Sequence, residues 1–160
     1  MTKKFLLVLT TVLFAISASA QFEQGKTYVG ASLSNVGLSY NGSEKGSFGV
    51  QAMGGFFLAD DLMVGAQGSY DKLNDVPASY SFGVLGRYYI EQNGLYLGVA
   101  CNYRHYTKDF NDFMPGVRLG YAFFLGKQVT VEPELYYDQS FKNHGDYSTI
   151  GLRIGVGIYL

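Results

Sequence analysis

Three carboxylates lie close together in the segment TVEPELYYDQ, residues 130–139. Glu132, Glu134 and Asp138 have the same parity, so on an extended strand they lie on one face. Carboxylate oxygens in such a row can hold a divalent cation or act as general acid and base. Alternate residues on a strand are roughly 6.5–7 Å apart, and arginines elsewhere in the chain compete for the same acids. The residues therefore favour structural ion pairing, and we predict no metal and no other cofactor.

A histidine beside a serine nucleophile would indicate a lipid-modifying enzyme, such as a lipid A deacylase or acyltransferase. His105 has three expected neighbours on its face of the sheet, Tyr80, Phe113 and Pro115, and none of them is a serine. The second histidine, His144, falls in the polar segment KNHGD. The sequence predicts no catalytic residue and no enzyme, and the lipid-modifying activity stays an alternative.

The N-terminus predicts a cleaved secretory signal peptide over residues 1–20. Two lysines precede an apolar run over residues 5–16, and the small residues SASA follow. The run is too short to span a bilayer as a mature helix, and Gln21 in place of a cysteine argues against a lipoprotein anchor. Residues 21–160 are then a single domain, because the remaining length is too small for a second core.

The composition is typical of a β-rich chain, with 21 glycines, 14 tyrosines, 12 phenylalanines and no tryptophan. The formal net charge of −1 indicates no nucleic-acid partner. Because Cys101 is the only cysteine, an exported chain of this kind gains no stability from an intramolecular disulfide. We expect Cys101 to face outward as a small apolar residue.

Apolar residues alternate with small or polar ones almost throughout residues 27–160, which predicts β-strands rather than helices. Turn-rich clusters separate eight strands. The connections NGSEKG, DKLNDVPA, TKDFND and KNHGD are long and polar, whereas ADD, EQNG and GKQ are tight. Long loops at one end and tight turns at the other are typical of an up-and-down meander. The predicted strands are Thr27–Tyr40, Ser47–Leu58, Leu62–Tyr70, Ser79–Ile90, Leu95–Tyr106, Phe113–Leu125, Val129–Phe141 and Tyr147–Leu160.

The two faces of the predicted sheet differ in chemistry. One is apolar in strand after strand, and the other carries serial glycines and polar residues, which the outer face of a soluble sandwich would replace with charged residues. The strand acids Glu132, Glu134 and Asp138 share the glycine-rich face with all four arginines, whereas we place every lysine after residue 20 in a loop, turn or terminus. The arginines are Arg87, Arg104, Arg118 and Arg153.

Arginine suits buried bidentate pairing with carboxylates, and lysine suits solvated ends. The glycine-rich face is therefore an interior, and the apolar face contacts an apolar surrounding. In a bilayer, only a closed barrel satisfies every backbone group of a sheet. Eight strands enclose just enough space for side chains, so we predict an interior filled by an ion-pair network.

Hairpin centres near Lys127 and near Asn143 and His144 give an approximate register. It places Tyr136 opposite both Arg118 and Arg153, with acids diagonal to both arginines. Pro133 lies in the middle of a wall strand and lacks a ladder donor. We therefore predict a bulge or a missing ladder bond at Pro133, and a second irregularity at Pro115.

The chain resembles a known family over residues 21–160. The resemblance is carried by GGFFLADDLMVGA (54–66), RYYI (87–90), VEPELYY (131–137) and the last strand IGLRIGVGIYL (150–160). The chain is similar to the small eight-stranded barrels of the OmpA/OmpX type in the outer-membrane protein β-barrel domain family. Many such barrels end in an aromatic residue, whereas this chain ends Tyr159-Leu160 with the tyrosine on the inward parity.

The resemblance implies an all-β protein, an eight-stranded antiparallel up-and-down transmembrane β-barrel in the bacterial outer membrane. It also implies periplasmic chaperones and the outer-membrane assembly machinery as partners. We expect a monomer with a structural or surface-interaction role; a surface adhesin, a porin-like narrow pore for small solutes and a soluble periplasmic barrel are alternatives. One lysine in each longer loop is a candidate contact for lipopolysaccharide phosphates. These lysines are Lys45, Lys72, Lys108 and Lys142.

Overall fold

A computed structural model describes residues 22–34, 40–41, 44–45, 47–73, 79–90, 93–106, 110–142 and 148–160. The signal peptide predicted over residues 1–20 lies outside the described residues. No helix that could span a bilayer is present in the described part of the chain. The strands are β1 (Thr27–Ser34), β2 (Tyr40–Asn41), β3 (Glu44–Lys45), β4 (Ser47–Ala59), β5 (Leu62–Leu73), β6 (Ser79–Tyr89), β7 (Leu95–Tyr106), β8 (Phe110–Tyr121), β9 (Phe123–Phe124), β10 (Val129–Asp138) and β11 (Thr149–Tyr159).

Eight of these strands form a closed antiparallel ring. Neighbours in the ring follow the order β1, β4, β5, β6, β7, β8, β10 and β11, and β11 pairs again with β1, as in Gly30 opposite Gly157. The short strand β9 continues the edge of β8 along β10, and β2 and β3 extend the sheet beside β11. The predicted eight-stranded up-and-down barrel is confirmed.

Alternation along each strand separates an interior from an outer surface. In β11, Thr149, Gly151, Arg153, Gly155, Gly157 and Tyr159 are buried, and the residues between them are exposed. The exposed positions carry Ile150, Leu152, Ile154, Val156 and Ile158. Glycines fill inward positions because bulky neighbours occupy the space: a methyl group added to Gly120 would lie 2.3 Å from the Tyr96 ring. The glycine-rich face is thus the crowded interior.

Two strands are longer at the loop end than the sequence pattern predicts. Strand β5 continues to Leu73 instead of Tyr70, and β8 begins at Phe110 instead of Phe113. These extensions bring Asp71 and Asp112 into the barrel wall, so acids inside strands are not limited to the three on β10. The prediction that lysines avoid strands is also wrong, because Lys72 belongs to β5 and Lys45 to β3.

Pro133 is accommodated without a bulge. Its pairing with β11 is continuous, with Pro133 opposite Ile154. On the other edge β10 pairs with β9 up to Val131 and with β8 from Glu134, and the register is the same on both sides of the gap. The N–H donor that proline lacks therefore coincides with a short interruption of the ladder between β10 and its neighbours β8 and β9. Pro115 pairs with Cys101 in an unbroken register on the β7 edge. On the other edge the β8–β10 ladder ends at Gly116 and Asp138, next to Pro115, whose carbonyl accepts a hydrogen bond from the amide of Gln139 and which has no N–H to donate in return.

Candidate functional site

The centre of the barrel contains an arginine held between two acids of β10. Arg87 of β6 crosses the interior and places its guanidinium nitrogens 2.8 Å from Glu132 and 3.0 Å from Glu134. Its charge also lies over two aromatic rings, 4.3 Å from the centroid of Tyr96 and 5.3 Å from that of Tyr28. A cation buried in this way is compensated by both carboxylates and ring quadrupoles.

Glu134 is shared by three arginines. Besides Arg87, the Nε atoms of Arg153 and Arg118 lie 3.3 Å and 3.7 Å from its Oε1. Its Oε2 also accepts a hydrogen bond of 2.9 Å from the hydroxyl of Tyr96. This carboxylate is therefore the common anion of the interior network.

The register that brings Arg153 to Glu134 corrects the prediction. Arg153 is paired opposite Glu134, whereas Tyr136 faces Gly151 and not Arg153. The predicted pairing of Tyr136 with Arg118 does occur. The predicted and observed registers differ by two residues. A shift of that size keeps every side chain on its own face, so the alternating pattern alone does not distinguish the two registers.

A second pair lies next to the shared anion. Arg118 Nη2 is 2.6 Å from Asp138, and its Nη1 donates to the backbone carbonyl of Tyr137. The ring of Tyr136 lies between the arginines, with its centroid 5.5 Å from Arg118 and 4.1 Å from Arg153. The three arginines and the three acids of the central network are equal in number, and the charge there is balanced.

A third cluster lies towards the loop end of the interior. Arg104 pairs with Asp71 at 3.4 Å, and Asp112 faces Arg104 across the β7–β8 ladder. Ser69 donates to Asp71, and Ser140 donates to Asp112. The sequence prediction omitted both aspartates because it ended β5 before Asp71 and began β8 after Asp112. Their parity, which matches Gln67 and Arg118, was the signal that would have identified them.

Neutral polar groups complete the lining. The carboxylate of Glu132 accepts hydrogen bonds from Tyr28 (2.9 Å), Tyr159 (3.0 Å) and Thr130 (2.7 Å). A chain of amides crosses the wall from β4 to β7: Gln51 donates to Gln67, and Gln67 donates to Asn102, both at 2.6 Å. The packed side chains leave a cavity of about 10 Å³ beside Arg87 and Arg153, room for about one water molecule.

The described residues provide no metal site, and the sheet places no serine directly opposite His105. No group of three or more histidine, cysteine or acidic side chains among them is placed to hold a metal ion. His105 is exposed and bonds to Asn111 at 2.5 Å, so Asn111 rather than Phe113 is its neighbour on β8, while Tyr80 is its neighbour on β6 as predicted. His144 lies outside the described residues.

The candidate lysines are only partly visible. Lys142 is exposed just beyond β10. Lys108 and the side chains of Lys45 and Lys72 lie outside the described residues, so lipopolysaccharide contact stays a prediction.

Two further polar or reactive side chains lie away from the interior network. Cys101 is exposed on the outward face. At the turn end of the barrel, burial and the neighbouring Asp60 raise the pKa of Asp61.

Comparison with known proteins gives a family and a fold. The profile of the outer membrane protein beta-barrel domain family matches residues 6–160. The N-terminal beta-barrel domain of Pseudomonas aeruginosa OprF is 16% identical, with a TM-score of 0.58 over 86% of this chain and 98% of that one. Neisserial surface protein A is 16% identical, with a TM-score of 0.59 over 83% and 95%.

A de novo designed transmembrane beta-barrel is also similar, at 11% identity and a TM-score of 0.57 over 86% of this chain and 98% of the design. No curated protein sequence matches the chain. Because a designed barrel is as similar as the natural ones, structural likeness at these identities shows the fold alone.

Proposed function

Because the chain belongs to the outer membrane protein beta-barrel domain family, we propose that it is an integral outer-membrane protein with a structural or surface-interaction role and no enzymatic activity. The observation that carries the proposal is an apolar outer surface around an interior filled by paired charges. The first property favours a lipid surrounding, and the second argues against a passage or a reaction site among the described residues. Contact with lipopolysaccharide through the loop lysines is part of this proposal.

Aromatic pairs on the outer surface support a membrane position. Tyr70 packs on Tyr80 at 5.1 Å and Tyr103 on Phe113 at 5.3 Å, near the loop ends of their strands. At the turn end Tyr121 packs on Phe123 at 4.4 Å. On β6, Tyr80 lies near the loop end and Tyr88 lies eight residues further on, near the turn end. For a strand tilted by about 40°, eight residues correspond to a separation of about 20 Å along the membrane normal. Such a height, bounded by aromatic rings, fits an outer-membrane apolar band.

Export follows from the same proposal. A signal peptide over residues 1–20 takes the chain across the inner membrane, and chaperones and assembly machinery deliver it to the outer membrane. The termini and the tight turns then face the periplasm, and the longer connections face outward. The barrel functions as a monomer.

Cysteine labelling tests location and orientation together. Cys101→Ala removes the native thiol, and Lys142→Cys and Lys127→Cys then place single thiols at exposed positions on opposite ends of the barrel. In intact cells, we expect a membrane-impermeant maleimide to label residue 142, and to label residue 127 only after the outer membrane is permeabilised. Recovery of the protein in the soluble fraction, or labelling of residue 127 in intact cells, would contradict the proposal.

Two further assays separate the proposed role from the alternatives. In planar bilayers, the purified barrel should give no discrete single-channel currents, because paired side chains occupy its interior. With labelled lipid A as substrate, it should release no acyl groups. Steady conductance steps would support a pore instead, and acyl release abolished by His105→Ala would support a lipid-modifying enzyme.

A further inference from the structure

The turn end of the barrel is closed by an aromatic cluster that includes one residue from outside the wall. Phe57 of β4, Tyr89 of β6, Phe124 of β9 and Tyr159 of β11 point inward there, each at most 7% exposed. The ring of Phe22, which precedes β1, lies among them and is 0% exposed. The cluster therefore joins the wall to the segment Phe22–Lys26, which we call the N-terminal strap.

The four wall rings surround Phe22 at contact distances. Phe22 stacks on Tyr89 with centroids 4.0 Å apart and an interplanar angle of 18°. It meets Phe124 at 5.6 Å and Tyr159 at 5.4 Å edge to face, and Phe57 at 6.1 Å. Stacked and edge-to-face geometries are those that aromatic pairs prefer. The wall thus forms an aromatic site that fits one ring.

The backbone of the N-terminal strap is hydrogen-bonded to the β4–β5 hairpin. The amide of Gly25 donates to the carbonyl of Phe57 at 3.0 Å, and the amide of Phe57 donates to the carbonyl of Lys26 at 2.9 Å. The backbone amide of Asp61 donates to the carbonyl of Phe22 at 2.7 Å, and the amide of Gln24 donates to Asp60 at 2.9 Å. The side chains of Glu23 and Gln24 are exposed. Phe22 is consequently the one strap residue that inserts into the interior, and the β4–β5 turn holds the strap beside the opening.

We propose that the turn end of the barrel is a preformed binding site for one aromatic side chain and that Phe22 is its resident occupant. The strands that carry the wall residues pair with one another without any contribution from the Phe22 side chain, so removal of that side chain empties the site and leaves the ring intact. Because its neighbours come from four strands around the ring, the occupied site fixes the shape of this opening and closes it to water. This inference goes beyond the proposed function and is independent of which end faces the periplasm.

Replacement of the occupant tests the proposal. Phe22→Ala leaves a ring-sized cavity, so the midpoint of thermal unfolding should fall by on the order of 10 °C. Phenol at millimolar concentration should enter that cavity and raise the midpoint of the variant by a few degrees, while the wild-type midpoint is unchanged. Both midpoints are measured by far-ultraviolet circular dichroism on the purified barrel in detergent micelles.

Phe141→Ala is the matched control, because Phe141 is 73% exposed. Its midpoint should stay within about 2 °C of the wild type and should not respond to phenol. A wild-type midpoint for Phe22→Ala, or an equal phenol effect on wild type and variant, overturns the proposal. If Phe22→Ala does not fold, Phe22→Leu must, and failure of both overturns it too, because the occupant of a preformed site is not needed for the ring to form.

Discussion

Replacing Glu134 by glutamine should unbalance the interior at a single, identifiable arginine. The substitution keeps the shape of the side chain and removes one negative charge. Arg87 retains Glu132 at 2.8 Å, and Arg118 retains Asp138 at 2.6 Å. Among the described residues, Arg153 has no ion-pair partner other than Glu134, at 3.3 Å. The variant therefore leaves Arg153 as a buried cation without an ion-pair partner.

The expected cost follows from that single orphaned charge. Removing one partner of a buried ion pair lowers stability by about 3–5 kcal/mol, so we expect the free energy of unfolding of Glu134→Gln to fall by about that amount. Arg153→Met should cost less, because Glu134 keeps Arg87 at 3.0 Å. In the double variant the orphaned cation is gone, and a coupling of about 2 kcal/mol should be recovered.

Urea unfolding in lipid vesicles measures these values. The chain has no tryptophan, so circular dichroism is the appropriate signal. Glu23→Gln, at an exposed position of the N-terminal strap, removes the same charge and should change stability by less than about 0.5 kcal/mol. The reasoning is refuted if the two glutamine variants are equally stable, or if the effects of Glu134→Gln and Arg153→Met simply add.

Three other substitutions, one of them with a matched control, test the packing of the wall and interior. Gly157→Ala would place a methyl group 2.5 Å from a tyrosine ring carbon and 2.6 Å from a glutamate oxygen, and should cost about 1–3 kcal/mol in urea unfolding. In the control Gly54→Ala, on the outward side, the added methyl group would lie 3.9 Å from its nearest neighbour, a backbone oxygen. It should cost nothing measurable, and equal losses in the two variants would contradict this account. Pro133→Ala should change the free energy of unfolding by less than about 1 kcal/mol, because a new backbone hydrogen bond offsets the greater conformational entropy of the unfolded chain without proline. The new amide should be protected from hydrogen exchange. Rapid exchange would show that the strands are apart there. Gln67→Leu removes the middle link of the amide chain and should cost about 1–3 kcal/mol for each orphaned partner, so an unchanged unfolding midpoint in urea would argue against that chain.

The fold could be predicted from the sequence because one physical pattern is repeated along the whole chain. Apolar residues at alternate positions determine which side of each strand faces outward, as in Ile154 and Val156 beside Gly155. The ends of the strands were less predictable. Asp71 and Asp112 look like loop residues because they are charged and close to turn formers, yet they are inward-facing wall residues satisfied by Arg104 and by serine hydroxyls.

The interior was predictable as a set of residues and not as a set of contacts. Parity placed the arginines and the β10 acids inside, and their side chains do converge there. Partner choice depends on register and on which strands face one another across the barrel, as for Arg87 of β6 and the acids of β10. The role of Phe22 was not predictable either, because its position before β1 carries no periodic signal.

The charges in the interior supply information that the apolar pattern lacks. A slip of β11 along β10 by two residues would keep every inward and outward side chain on its own face, and lipid would not distinguish the two barrels. It would, however, move Arg153 from Glu134 to a position opposite Tyr136 or Glu132. Buried ionic groups specify register in other folds, and we infer that Arg153 and Glu134 do so here. The double variant should then regain part of the stability that Glu134→Gln loses, but it should populate more than one β10–β11 register, visible as doubled amide resonances along β11 in nuclear magnetic resonance spectra. A single set of resonances would assign the choice of register to the loop and the turns instead.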